Sequence, residues 1–242
     1  MDMLKPVERL IVALDVDSLA GAESVCDEIG SNVVFYKVGL QLFLATGSSV
    51  VTSLKSKGLK VFLDLKLHDI PNQVAGACRE VVKMGVDMMT IHTTGGADMM
   101  SAAANAVKEA SAEFGVKPPI LVGVTVLTSL NQQRAGEIGF DRPISEQVVA
   151  LAKLAKSCGL DGVVASPQEV RTLREVLGDD FVIVTPGIRD QQDAVQDQQR
   201  VMTAADAINA GSSYLVVGRP ILEADDPSGA AARIVSQIVS SS

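Results

Sequence analysis

Asp64 and Lys66 stand two residues apart in the run Lys60-Val-Phe-Leu-Asp-Leu-Lys66, and Asp69 follows three residues later. Lys37 ends another apolar run, and Asp15 ends the first one. Charges inside apolar sequence are costly unless they are paired. Lys37, Asp64, Lys66 and Asp69 alternate in sign, so they can form one array of two cations and two anions. Such an array is either a stabilising network or a proton-transfer site. On an extended strand Asp64 and Lys66 share a face, with Leu65 on the other. A lysine among carboxylates is a local cation and a proton donor rather than a Schiff-base nucleophile.

A second group of residues suits an anion. Thr185-Pro-Gly-Ile-Arg189 follows one apolar run, and Val217-Gly-Arg-Pro220 follows the next. Gly187 and Gly218 let backbone N–H groups approach a phosphate, while Arg189 and Arg219 supply forked donors. Glycines also serve plain tight turns, but each of these has an arginine close by. Residues 187–201 form a long polar connection, which beside a phosphate site is expected to act as a lid. Gln198 lies where such a lid would reach back to a ligand.

The elements that must position these residues follow one repeating pattern. Strands are expected at Leu10–Asp15, Val33–Val38, Leu59–Lys66, Val86–His92, Ile120–Val126, Gly162–Ser166, Phe181–Thr185 and Tyr214–Gly218. Between them lie Ala-rich helical stretches at Leu19–Ile29, Leu40–Lys57, Val74–Met84, Asp98–Phe114, Ile144–Ser157, Pro167–Leu177 and Ala204–Ala210, with Ser228–Val239 last. The strand runs are almost continuously apolar, as in parallel sheets covered on both faces. Eight β-α units in 242 residues predict a single α/β domain over residues 1–242, a (β/α)8 barrel. An open doubly wound sheet is disfavoured, because no strand leads into a Gly-x-Gly-x-x-Gly turn. Barrels of this kind carry their sites at the C-terminal ends of the strands. The polar residues above recur at those ends, together with His92, Thr125 to Thr128, Ser166 and Pro186.

Composition narrows the function. Apolar residues make up 47% of the chain and charged residues 21%, which is ordinary for a packed globular core. No apolar run approaches the roughly 18–20 residues that a membrane helix needs. The formal charge of -8 argues against a nucleic-acid polymer as partner. An anionic small ligand would therefore need a local cluster of cations. Cys26, Cys78 and Cys158 show no metal-ligand or redox spacing, and two histidines cannot build a His-rich metal site. The first residues show no signal-peptide pattern, so a cytoplasmic protein with reduced thiols is expected.

Asp64-Leu-Lys66-Leu-His-Asp69-Ile-Pro-Asn72 is similar to the Asp-x-Lys-x-x-Asp-Ile-Pro-Asn signature of the orotidine 5′-phosphate decarboxylase family. Leu10–Asp15 and Phe35–Gly39 resemble its first two strands. Val124–Ser129 resembles its bacterial pyrimidine-reading segment, and Thr185–Arg189 and Val217–Pro220 resemble its phosphate loops. The resemblance implies a cofactor-free and metal-free decarboxylase of orotidine 5′-monophosphate, in pyrimidine biosynthesis. In it Lys66 would protonate C6, Asp64 would face the substrate carboxylate, Lys37 would orient the array and Asp15 would bind ribose. Asp69 and Ile70 would act across the interface of a homodimer. Thr128 would meet the pyrimidine edge. Pro186, Arg189, Gln198, Gly218 and Arg219 would line the nucleobase and phosphate end. Two positions depart from the family: Gln73 replaces the usual Thr, and His92-Thr93-Thr94-Gly95-Gly96 replaces His-Ala-x-Gly-Gly. His92 reads as a supporting residue rather than a catalyst. The rivals are a metal-dependent sugar-phosphate lyase or decarboxylase of the same superfamily, and a catalytically silent nucleotide-binding barrel.

Overall fold

The structure is a computed structural model that describes residues 5–188 and 202–241. Its eight strands follow chain order around a closed barrel: β1 Leu10–Ala13, β2 Phe35–Gly39, β3 Lys60–Leu67, β4 Met88–His92, β5 Ile120–Val124, β6 Gly162–Val164, β7 Val182–Pro186 and β8 Tyr214–Val217. The expected strands are present, and most are shorter than the apolar runs. Asp15, Val126 and Ser166 lie just past the strands that were expected to contain them.

The helices are α1 Pro6–Arg9, α2 Leu19–Ile29, α3 Leu40–Thr46, α4 Ser49–Ser56, α5 Pro71–Lys83, α6 Gly96–Phe114, α7 Gln132–Glu137, α8 Ile144–Ser157, α9 Val170–Leu177, α10 Ala204–Asn209, α11 Arg219–Leu222 and α12 Pro227–Val239. The continuous helix expected over 40–57 breaks into α3 and α4. Gly47 takes a φ of 62° there and its N–H caps Phe43 O, a left-handed ending that glycine adopts freely. Helix α7 was not foreseen, because its polar sequence carries no apolar period. It is started by Asn131, whose side chain accepts the Arg134 N–H at 2.9 Å. Among the described residues, no helix is long and apolar enough to cross a membrane.

Contacts group the chain into two compact units, Met1–Leu65 with Thr185–Ser242, and Lys66–Val184. In the first unit β1 pairs in parallel with β2 and β8, setting Ile11 beside Phe35 and Val216. Leu10, Ile11, Val12, Tyr36, Val38 and Leu215 are fully buried there. The Arg9 guanidinium donates to Ser212 O at 2.7 Å and Ser213 O at 3.2 Å, tying α1 to the start of β8. Buried Thr185 and Ser212 share a hydrogen bond of 2.7 Å, so neither hydroxyl is left unsatisfied.

In the second unit β4 pairs with β5, β5 with β6, and β6 with β7, all in parallel. Two of its strand glycines are set by close packing. A Cβ on Gly162 would lie 2.2 Å from Val182 O, and one on Gly123 would lie 2.5 Å from Thr93 Cγ2. Both would clash, so these strands approach their neighbours only because no side chain intervenes.

The thiols carry a direct expectation. Burial pushes Cys26 and Cys78 up to about 12, and the thiolate is the reactive form. Cys158 is only half-buried. At pH 8, an aromatic disulfide reagent should label Cys158 in the folded protein and reach Cys26 and Cys78 only on unfolding. Rapid labelling of all three thiols would show that this packing is wrong.

Candidate active site

In the first unit, β2 and β3 run side by side with Lys37 opposite Phe62 and Gly39 opposite Asp64. Lys37 Nζ lies 3.6 Å from Asp15 Oδ1 and 3.6 Å from Asp64 Oδ2. The Lys37 and Asp64 side chains are 14% and 11% exposed, whereas Asp15 is 58% exposed. The cation therefore stands between a sequestered carboxylate and an open one. Three of the residues singled out from sequence are thus brought together. A nearly buried pair of this kind costs desolvation that its mutual attraction must offset, so it is poor evidence for a purely stabilising role.

Two glycines make the room. A Cβ on Gly39 would lie 3.2 Å from Lys37 Nζ, and one on Gly218 would lie 3.1 Å from Asp15 Oδ2. Gly218 was singled out for an anion and proves to border Asp15 as well. Gly39 carries no role in the sequence reading, although a glycine two positions along the strand from a lysine in an apolar run is the signal that could have found it.

The proposed phosphate residues fall in the same unit. Pro186 is the last residue of β7, and Gly187 follows it with a φ of 79°. Ile188 is buried and forms a parallel bridge with Met202. The two ends of the long polar connection are therefore fastened together. Arg189 and Gln198, and most of the expected lid, lie outside the described residues. Gly218 precedes α11, and Arg219 opens it with an exposed side chain. Its guanidinium makes no ion pair among the described residues.

In the second unit, Lys66 takes a φ of 53°, the only positive φ among the described non-glycine residues. The expected alternation along β3 therefore breaks at Lys66. Its side-chain direction is set by a left-handed backbone and not by the pleat. The Lys66 N–H donates to Thr90 Oγ1 at 2.8 Å. Asp69 and Ile70 follow on an exposed turn, where the Asp69 carboxylate accepts the Ile70 N–H at 2.6 Å. Ile70 is 65% exposed. Pro71 opens α5 and holds Ile70 extended, as a residue before proline prefers. Gln73 is exposed in the first turn of α5 and donates its N–H to Ile70 O at 3.0 Å.

Thr128 lies past β5 and is exposed, in a turn closed by Leu130 N–H to Leu127 O at 2.9 Å. His92 ends β4. Its Nδ1 is 3.3 Å from Thr94 Oγ1, and its ring lies 5.4 Å from that of His68. Past β6, Ser166 and Glu169 form a capping box in which the Glu169 carboxylate accepts the Ser166 N–H at 2.7 Å. Burial raises the Glu169 pKa against the lowering effect of that bond. Among the described residues, no group of three or more His, Cys, Asp or Glu side chains is arranged to hold a metal ion.

Comparison with known proteins covers almost the whole chain. The model of the orotidine 5′-phosphate decarboxylase / HUMPS family matches residues 8–234. The orotidine 5′-phosphate decarboxylase of Moorella thermoacetica is 49% identical over 232 residues, 96% of this chain and 92% of that protein. That of Syntrophotalea carbinolica is 51% identical over 231 residues, 96% of this chain and 95% of its own. The crystal structure of orotidine 5′-phosphate decarboxylase from Lactobacillus acidophilus superposes with a TM-score of 0.86 at 40% identity, covering 96% of this chain and 99% of that one. With its barrel, its Asp15–Lys37–Asp64 group and a match of this extent, the chain belongs to the orotidine 5′-phosphate decarboxylase / HUMPS family.

Proposed function

We propose that the chain is a carboxy-lyase that converts orotidine 5′-monophosphate to uridine 5′-monophosphate and CO2, in pyrimidine biosynthesis and in the cytoplasm. The observation that carries this reading is Lys37 held between Asp15 and Asp64, two residues along β3 from Lys66. The relatives that share the family are named for this reaction.

In this reading the C6–carboxylate bond breaks and its electron pair stays on C6. The Lys66 ammonium stabilises the developing charge and delivers the proton that completes uridine 5′-monophosphate. Water then resupplies the lysine. Asp64 faces the departing carboxylate. Lys37 fixes Asp64 and Asp15 and touches the ribose, whose hydroxyls Asp15 accepts. Fixed charges of this kind need little reorganisation as the negative charge shifts. Thr128 and Pro186 meet the nucleobase. Gly218, Arg219, Arg189 and Gln198 hold the phosphate end. The exposed Ile70 and its neighbour Asp69 fit a role across a homodimer interface, each serving the partner's site. The reaction so written needs no cofactor and no metal, and one catalytic domain carries it.

The deciding experiment follows the loss of orotidylate absorbance with purified protein, before and after chelator treatment. Turnover that survives the chelator is the expected result. Turnover that the chelator abolishes would favour the metal-dependent lyase, and tight nucleotide binding without turnover would favour a silent barrel.

A further inference from the structure

Lys66 is the only non-glycine residue with a positive φ among the described residues. An L-residue holds that conformation only where its surroundings over-determine it. What holds it lies on the next strand in the chain. Thr90 is in the middle of β4, 1% exposed, among Met88, Met89 and Ile91, which are all buried. Valine suits such a position by strand preference as well as threonine does, and threonine there buries a hydroxyl that needs a partner. The hydroxyl is used on Lys66: Thr90 Oγ1 accepts the Lys66 N–H at 2.8 Å, 24 residues away in sequence. Thr90 is itself fixed, since β4 pairs it with Val122 of β5.

We propose that Thr90 is a positioning residue for catalysis, whose side chain holds the left-handed backbone of Lys66 and thereby aims the ammonium at the reacting carbon. The inference rests on Lys66 being the proton donor. Rotation of φ toward the ordinary range swings the whole lysine side chain about the N–Cα bond. A displacement of only about 1 Å from a productive geometry costs on the order of 10²-fold in rate. Thr90 touches no substrate in this account and acts through Lys66.

The test compares Thr90→Val, Thr90→Ser and Lys66→Ala with the parent protein. Thr90→Val should lower kcat by about 10- to 100-fold while KM changes by less than about threefold. Thr90→Ser keeps the hydroxyl and should restore most of kcat. The Lys66 amide should exchange with solvent faster in Thr90→Val than in Thr90→Ser at equal melting temperature. If Thr90→Val does not fold, Thr90→Ala against Thr90→Ser supplies the same contrast. A kcat within about twofold of the parent in the variant without a hydroxyl overturns the proposal. So does a serine variant as impaired as the valine one. An active Lys66→Ala would remove the reading beneath it and the role of Thr90 with it, and that outcome is distinct because it is read in the lysine variant itself, whatever the two threonine variants do.

Discussion

Replacing Lys66 by alanine is expected to lower kcat by about 10⁴-fold and leave the fold intact. The lysine has two roles in the proposed reaction. As proton donor it is worth roughly 10²–10⁴-fold. As a preorganised cation beside the developing charge it is worth roughly 10²–10³-fold. The two effects share one group, so they overlap and do not simply multiply. Lys66 is only half-buried, and its N–H bond to Thr90 belongs to the backbone, so alanine keeps the strand contact. A steady-state assay beside circular dichroism and a melting curve separates the cases. Near-normal turnover would sink the catalytic assignment. Loss of the melting transition would show that the lysine holds the fold instead.

Arg219→Ala should fail in a different way. Its guanidinium is exposed, makes no ion pair among the described residues and stands directly after Gly218. Removing it should leave stability almost unchanged. In the proposed site it is a phosphate cation, and loss of such a charge-assisted, forked contact costs about 3–4 kcal/mol, or roughly 10²–10³-fold in kcat/KM for the nucleotide. The decisive control is the phosphate-free nucleoside. The parent should turn it over poorly, because phosphate-binding energy is spent on assembling the site. The variant and the parent should then be nearly equal on the nucleoside. A parent protein that handled the nucleoside as well as the nucleotide would end the phosphate argument.

Much of this arrangement was legible in the residues. The apolar runs around Ile11, Tyr36, Phe62 and Leu215 mark strands buried on both faces, and they close into the expected barrel. Lys37 and Asp64 stood out because charges in such runs need partners, and each is the other's partner. What stayed hidden was local backbone geometry. A lysine in an apolar run reads as a pleated strand residue, so nothing announced its left-handed φ. Thr90 was invisible for the same reason, since β-branched threonine is what a strand contains anyway. Gly47 divides a helix whose composition is otherwise continuous. Gly39 reveals its purpose only once Lys37 Nζ is seen beside it.

The backbone of Lys66 also has an evolutionary consequence. At a φ of 53° glycine is more comfortable than lysine, by roughly 1–2 kcal/mol on steric grounds. In the proposed reaction, chemistry and local conformation therefore pull this position in opposite directions, and selection for turnover is what keeps the lysine. A lineage that no longer needed the reaction would find glycine here a downhill step, since drift readily accepts changes that raise stability. Its descendants would keep the barrel and lose the enzyme.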